Sequence, residues 1–154
     1  MSKKLSFRGK IHDGVVERIK LSTLNGKTGY KITKFLVLGN DPADNSVEAV
    51  VKIYTKFQTT VTDTFDFTES DLIAAIYNPT SNNINYDGRN IIIFDNAIFN
   101  QDIFLTYTDA SGATSDPYNY YIELETISLT DIQATQLTLR NIRTITSRWC
   151  QLIK

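Results

Sequence analysis

The chain has 154 residues, a formal net charge of −1 and a single cysteine. This length is enough to bury the core of one domain, so residues 1–154 are expected to form a single unit. One cysteine excludes an internal disulfide framework. Nineteen threonines, twelve asparagines and eighteen isoleucines accompany eight tyrosines and eight phenylalanines. β-Branched and aromatic residues favour strands and asparagine favours turns, so the composition indicates a mainly β protein.

The first half of the chain predicts short strands in which apolar and polar residues alternate. These strands are predicted over 5–11, 15–21, 30–38, 47–54 and 61–67. The pair Asp13-Gly14 separates the first two and predicts an N-terminal hairpin. Thr68 then resembles a helix N-cap, and apolar residues follow at helical spacing up to Tyr77. One short internal helix is therefore expected there.

The second half predicts further strands over 89–94, 103–107 and 120–125. After them the apolar spacing changes to three and four residues, from Leu139 to Trp149, with Thr130 or Asp131 available as a cap. A C-terminal helix and an extended arm are both open for this segment. About eight short strands at regular spacing are typical of an antiparallel β-sandwich or a jelly-roll-like barrel.

Residues 94–102 read FDNAIFNQD and follow a strongly apolar strand. Crowded aspartate and amide side chains first suggest a metal or catalytic site. The same residue types, however, hydrogen-bond neighbouring backbone in turns. We therefore interpret the stretch as a corner between two buried strands, in which Ile98 and Phe99 act as apolar anchors.

Positive charge is concentrated at the two ends of the chain. Residues 1–35 carry nine cationic and two acidic residues, a net charge of +7. Residues 36–125 carry three and fourteen, or −11, and residues 126–154 carry four and one, or +3. Such segregation can dock copies of one chain or an acidic partner, or can simply decorate solvent-facing strands. The basic residues form no run and no aromatic-lined motif, so a nucleic-acid partner is not expected.

Two sets of contact residues follow from these patterns. Residues 1–10 and 140–154 are predicted contact arms toward a partner subunit. Their candidate partner-contact residues are Lys3, Lys4, Arg8, Arg140, Arg143, Arg148 and Trp149. The alternative is a carbohydrate-binding face that uses Tyr120, Tyr121 and Glu123 with the loops at 78–88 and 109–118, because aromatic rings stack on sugars and carboxylates accept hydroxyl hydrogens.

No catalytic, cofactor or metal site is predicted. His12 lies alone in a turn, and Cys150 lacks a nearby base in the sequence. One histidine and one cysteine exclude a zinc site, and no glycine-rich phosphate loop is present. Loop oxygens suited to calcium occur at Asp41, Asp44, Asp87, Asp95, Asn96 and Asp102, without the EF-hand pattern. Paired carboxylates such as Asp63 and Asp66 are the one remaining route to enzymatic chemistry.

The N-terminal stretch MSKKLSFRGK is basic but has no apolar region, so no secretory signal is expected. No stretch approaches the roughly 18 apolar residues of a membrane span. A protein made in a reducing cytoplasm is the simplest expectation.

Four segments carry a resemblance to known proteins. They are GKTGYKITKFLVLG, DFTESDLIAAIY, IIIFDNAIFNQDIFLTYTD and NYYIELETISLTDIQATQLTLRNIR. They resemble segments of small virion-associated structural proteins of marine tailed bacteriophages, over most of residues 15–145. The resemblance implies a non-enzymatic capsid or tail protein, with capsid decoration or cement preferred. It also implies a virion location after synthesis in the host bacterial cytoplasm, and contacts with the major capsid protein, other virion proteins and further copies of the chain. It carries over no functional residue.

Overall fold

The computed structural model describes residues 2–21, 26–41, 47–79, 90–94, 97–112 and 116–140. Within these ranges the chain forms eight strands and one short helix. The strands are β1 (Lys4–Ile11), β2 (Val16–Ile19), β3 (Thr28–Gly39), β4 (Ala49–Tyr54), β5 (Leu72–Asn78), β6 (Asn90–Ile93), β7 (Ile103–Asp109) and β8 (Tyr118–Ser128). The fold is a mainly β antiparallel sandwich, as the composition predicts.

The strands divide into two sheets. The first has three strands in the order β1-β8-β3, and the second has five in the order β2-β7-β4-β5-β6. All neighbouring strands are antiparallel. Strands that follow one another in the chain, such as β1 and β2, therefore often lie in different sheets. Each pairs with strands that are distant in sequence.

The predicted N-terminal hairpin is wrong for this reason. The turn at Asp13-Gly14 is present, with Gly14 at a φ of 77°, and the Gly14 N–H donates to the Tyr107 carbonyl over 2.9 Å. It does not join a hairpin, however. β1 pairs with β8 and β2 pairs with β7, so the turn carries the chain from one sheet to the other.

The inward faces of both sheets form one apolar core. The three-stranded sheet contributes inward side chains that include Phe35, Val37, Ile122 and Leu124, and the five-stranded sheet contributes Val51, Ile53, Ile76 and Leu105. Each of these side chains is at most 1 % exposed. Burial of apolar surface on this scale is the main favourable term in folding.

A β-bulge in β3 keeps its lysines outside the core. Tyr30 and Ile32 point inward, so strict alternation would also point Lys34 inward. The register against β8 shifts between Ile32 and Lys34, which turns Phe35 inward and Lys34 outward. The Thr33 hydroxyl donates to the Glu123 carbonyl at this point, over 3.1 Å.

The predicted internal helix is wrong. Residues Leu72–Asn78 form β5, which pairs with β4 on one side and β6 on the other. Its first five residues are all buried, because both faces of this strand are covered. A strand that is apolar at every position also satisfies a helical spacing, so periodicity alone could not separate the two.

The predicted strand over 61–67 is also wrong. Residues 55–71 form a long segment without strand pairing, here called the cover loop, which lies over the outer face of the five-stranded sheet. Its aromatic residues pack edge-on against that sheet and its neighbouring loop, in the pairs Phe57–Phe104, Phe65–Tyr77 and Phe67–Phe94. The alternation of phenylalanine and polar residues serves this packing and not a strand.

The C-terminal segment begins as a helix, α1, which is described over residues 131–140. Its N-terminus is a capping box. The Gln133 N–H donates to the Thr130 hydroxyl over 3.2 Å, and the Thr130 N–H donates to the Gln133 side-chain carbonyl over 3.1 Å. This confirms the helical alternative for residues 131–140, with Thr130 as its cap. Residues 141–154 lie outside the described residues.

The stretch FDNAIFNQD connects β6 to β7, and it is a corner in its described part. Asp95 and Asn96 lie outside the described residues. Phe99 is buried and stacks on Tyr30 with ring centroids 6.1 Å apart, whereas Ile98 is 38 % exposed and anchors less than expected.

Asp102 is buried and accepts the Leu21 N–H over 2.7 Å, and it pairs with Arg18. The described polar side chains of this corner thus satisfy backbone that is distant in sequence, at Leu21 and at Gly26.

Replacing Asp102 tests this last role. Asp102→Ala leaves the buried Leu21 N–H without its acceptor, so we expect the free energy of unfolding to fall by about 1–3 kcal/mol in chemical denaturation. Asp102→Asn keeps a carbonyl acceptor at the same position and should cost clearly less. Equal losses for the two variants would show that charge, and not backbone satisfaction, is what Asp102 supplies.

Candidate functional site

The outer face of the three-stranded sheet is rich in charged side chains, and we call it the basic face. Alternation along β1, β8 and β3 places one set of side chains outward in cross-strand rows. This set contains five cations and two carboxylates. Its charged members are Lys4, Arg8, Lys10, Lys31, Lys34, Glu123 and Glu125.

Charge compensation on the basic face is confined to one end. Glu125 lies between Lys4 and Lys31 in the register, and the Lys4 ammonium lies 3.6 Å from a Glu123 carboxylate oxygen. Pairs this exposed contribute at most about 1 kcal/mol each. They balance the local charge more than they hold the sheet together.

The other end of the basic face has no carboxylate opposite its cations. Arg8 is paired in register with Tyr121, and Lys10 with Asn119. On the far side of β8 the same rows continue into Leu36 and Leu38, and Leu38 is 58 % exposed. We call Arg8, Lys10, Leu36, Leu38 and Tyr121 the basic patch. None of the ion pairs among the described residues involves Arg8 or Lys10, so within that part of the chain the patch combines uncompensated positive charge with exposed apolar surface.

The predicted partner-contact residues are only partly brought together. Lys4 and Arg8 point outward from the same strand, and Lys3 directly precedes it. Residues 4–11 are a paired strand of the sheet, so this part of the predicted arm offers a face and not a free segment. Arg140 lies apart on α1, where it donates to the Ser70 carbonyl over 3.2 Å. Arg143, Arg148 and Trp149 lie outside the described residues.

The predicted glycan-contact residues are divided between two faces. Tyr121 and Glu123 share the outer face, and the Tyr121 hydroxyl donates to Glu123 over 3.3 Å. Tyr120 points inward and is only 7 % exposed, and its hydroxyl donates to the Glu17 carboxylate over 2.9 Å. Successive strand residues point to opposite faces, so the three cannot form one stripe. The Lys34 ammonium also lies 6.0 Å from the centre of the Tyr121 ring.

Of the predicted glycan loops, residues 80–88 and 113–115 lie outside the described part of the chain. The same holds for Asp44, Asp87 and Cys150. His12 is described and is exposed in the turn before β2, as its sequence context predicts.

The opposite side of the molecule holds a buried lysine that the sequence reading missed. Lys52 lies in the middle of β4 on the outer face of the five-stranded sheet and is 1 % exposed. Its ammonium donates to the Thr62 hydroxyl over 3.0 Å and to the Thr64 carbonyl over 2.7 Å. None of the described carboxylates forms an ion pair with it. In the sequence, Lys52 stands two residues from Val50 and from Tyr54, which share its face of β4. A single cation on an otherwise apolar strand face was the feature that could have predicted its burial.

The rings of Tyr54 and Phe65 flank this ammonium, with centroids 5.7 and 5.9 Å away. Burial lowers the pKa of Lys52, and the carboxylates of Glu69 and Asp63 partly offset that effect. Lys52 therefore anchors the cover loop to the sheet through two hydrogen bonds and the contact with the Phe65 ring, while Tyr54 belongs to β4 itself. This arrangement suits a residue that stabilises the loop better than a nucleophile, because the ammonium is shielded from solvent.

The outer surface of the cover loop is acidic and aromatic. Asp63, Asp66 and Glu69 are exposed, and Phe65 and Phe67 are 39 % and 53 % exposed. We call these five residues the acidic patch. Asp66 shapes its turn by accepting both the N–H and the hydroxyl of Thr68, and these hydrogen bonds lower the pKa of the Asp66 carboxyl.

A cleft of about 290 Å³ lies between the cover loop, the β6–β7 corner and α1. Phe67, Phe94 and Leu137 give it apolar walls, and Glu69 and Arg140 add charge at its lining. Asn100 donates to the Gly26 carbonyl over 3.0 Å beside it, while its own side-chain oxygen has no partner among the described residues.

Over the described residues, no three side chains of histidine, cysteine, aspartate or glutamate come together as metal ligands. Nor does the described part of the chain contain a helix long and apolar enough to cross a membrane.

Comparison with known proteins gives no assignment: no family model, no curated protein and no solved structure matches this chain. The resemblance to phage virion proteins therefore stays a prediction.

The anchoring role of Lys52 can be tested with Lys52→Met, which keeps the apolar stem and removes the charge. Two hydrogen bonds to the cover loop are lost, so amide exchange in residues 55–71 should accelerate roughly tenfold, measured by hydrogen-exchange mass spectrometry. The free energy of global unfolding should change little, because the substitution also removes the cost of burying a charge. The Thr62 hydroxyl and the Thr64 carbonyl that lose their partner belong to exposed residues, so water can replace the ammonium. Lys56→Met in the same loop is the control, and unchanged exchange in Lys52→Met would refute the anchor.

Four buried tyrosines predict a loss of stability at high pH. Burial, followed by the charges of Glu69, Asp71 and Asp66, raises the pKa of Tyr54 to about 12. Burial also raises the pKa of Tyr30 and Tyr107, and for Tyr120 the bond to Glu17 adds to it. An unfolded tyrosine ionises from its ordinary value of 10.0, so above that pH the unfolded state loses protons first and the folded state becomes less stable.

The free energy of unfolding should accordingly be steady just below pH 10 and fall as the pH rises through the folded pKa values. Lys52, with its lowered pKa, acts in the opposite sense as a single group. Tyr120→Phe should make the decline shallower. Tyrosinate absorbance, measured alongside denaturant titrations, should show these phenols ionising only with unfolding; full ionisation in the folded protein would contradict the prediction.

Proposed function

We propose that this protein is a non-enzymatic structural protein of a bacteriophage virion, most specifically a capsid decoration or cement protein. It binds the shell and associates with copies of itself. The single observation that supports this best is the division of the molecule into a basic face on one sheet and an acidic, aromatic loop on the other.

The basic face suits binding to a large protein surface. Its side chains stand on three hydrogen-bonded strands whose register fixes their spacing, so little conformational freedom is lost on binding. A broad face of this kind complements an acidic surface of another protein through many weak contacts. A shell lattice would present such a surface repeatedly.

The three buried charged residues among those described hold the fold together, which supports a binding role. Asp102 holds the Leu21 backbone, and Asp109 accepts the N–H groups of Glu48 and Ser111. Lys52 holds the cover loop. Each of these groups is already engaged in hydrogen bonds within the protein. A catalytic acid, base or nucleophile would instead have to contact the substrate.

The partners proposed are the major capsid protein or other virion proteins, together with further copies of this chain. Lys4 and Arg8 contribute to shell contact through the outer face of β1. Residues 140–154 keep their proposed contact role, of which Arg140 is the described part.

A carbohydrate- or receptor-binding module is the second candidate. Tyr121 and Glu123 support it, because they lie together on an exposed sheet face and hydrogen-bond to each other. It has the weaker support, since the third candidate, Tyr120, belongs to the core and the Lys34 ammonium lies beside the Tyr121 ring.

Quantitative mass spectrometry of purified particles tests the structural role. We expect the protein in the virion at a copy number that scales with the capsid subunits, and immunogold label on the head. Its absence from purified particles would overturn the proposal. A few copies on the tail, with binding on a glycan array that Tyr121→Ala abolishes, would favour the receptor-binding module.

Charge reversal on the face tests how the protein reaches the shell. Lys4→Glu with Lys34→Glu, on the part of the basic face outside the basic patch, should reduce binding of added protein to particles that lack it by about tenfold or more, because like charges would then oppose each other. Lys20→Glu, an exposed position outside the basic face, is the matched control. Equal binding by all three proteins would exclude the basic face as the shell contact.

A further inference from the structure

We propose that the basic patch of one copy docks on the acidic patch of a second copy, so that the protein associates head to tail. The inference rests on the proposed function in one respect, namely that both bring copies of the chain into contact. It adds which surfaces meet and in what symmetry.

The basic patch has the composition of a docking surface. Arg8 and Lys10 face outward with uncharged residues, Tyr121 and Asn119, as their cross-strand partners. Leu38 is 58 % exposed at the end of the same face. Arginine and tyrosine, which Arg8 and Tyr121 supply here, are enriched where one protein binds another.

The acidic patch is complementary in both properties. Asp63, Asp66 and Glu69 are exposed, and Phe65 and Phe67 lie among them. Among the described residues, three cations lie near this surface and offset part of its charge, and the Lys52 ammonium interacts with Asp63 and Glu69. Lys52 is buried beneath the loop, Lys56 is half-buried, and Arg140 lies at the edge and donates to the Ser70 carbonyl.

The two patches therefore offer three kinds of contact at once. Cations meet carboxylates, leucines meet phenylalanine rings, and Arg8 or Lys10 can lie over an exposed ring. The charges would steer and orient the encounter, while the buried apolar groups would hold the complex. Neither patch is complementary to itself, since each carries a single sign of charge.

The position of the patches decides the symmetry. One lies on the outer face of the three-stranded sheet, and the other on the loop that covers the outer face of the five-stranded sheet. They are thus on opposite sides of the sandwich. A contact between unlike patches leaves one of each free on every pair, so copies add to a ring or an open stack and not to a closed twofold dimer.

Charge reversals measured by sedimentation velocity test the interface in solution. Wild-type protein should form species larger than a dimer as its concentration rises, and added salt should weaken them. Arg8→Glu/Lys10→Glu and Asp63→Lys/Glu69→Lys should each weaken association by about tenfold or more. The matched controls Lys20→Glu and Asp131→Lys, at exposed positions outside both patches, should associate as wild type.

Mixing the two reversed proteins provides the decisive step. Each keeps one native patch, so the mixture should regain association that neither shows alone. All four substitutions in one chain should likewise restore it. Because unfolded chains could not rescue each other, recovery also shows that both variants fold.

Monomeric wild type at every concentration, or a mixture that stays monomeric, would overturn the inference. A dimer that grows no further would also overturn it, because it requires a twofold contact. These measurements use only purified protein. A protein that stacks in solution but is absent from particles leaves this interface standing and removes the virion role, and the reverse result removes only the interface.

Discussion

The alternation of side chains along β8 is the constraint on which both the core and the exposed surface depend. β8 is hydrogen-bonded on both sides, to β1 and to β3, over most of its length. Its residues Ile122 and Leu124 point into the core, and Glu123 and Glu125 point out. A slip of one residue would bury two carboxylates and expose two core side chains. The register that places these apolar side chains in the core therefore also places the charged side chains on the basic face. In β3 the bulge at Thr33 maintains this division, because it keeps Phe35 inward and Lys34 outward.

The five-stranded sheet needs cover on both sides, because its central strands β4 and β5 are buried on both faces. The core covers one face, and the cover loop covers the other. Burying Lys52 beneath that loop requires hydrogen bonds for its ammonium, which Thr62 and Thr64 supply. The loop is thereby held in a defined position, with its carboxylates and part of its phenylalanine surface facing outward. The charge division between the two sides of the molecule is a consequence of how each sheet is covered.

Much of the architecture was accessible from local patterns. Alternation in β1, β7 and β8 identified strands that the structure confirms, and the Thr130 cap identified the start of α1. The errors have a common physical cause. Where both faces of a strand are covered, as in β5, every position is apolar and the period of two disappears. Where a loop packs its phenylalanines onto a sheet, as over 61–67, the alternation of a strand appears without any strand.

The candidate surface divides in the same way. The sequence by itself determined the mainly β class, the basic ends, the acidic middle and the outward position of Lys4, Arg8, Tyr121 and Glu123, because side-chain direction in a strand follows from parity alone. Only the tertiary structure decided that β1 and β2 part into different sheets, that β1 and β3 flank β8, and that the cover loop lies on the far side. Strand partners are chosen by contacts between residues far apart in the chain, and no local period records them. That choice turns a charge difference along the chain into two opposite faces.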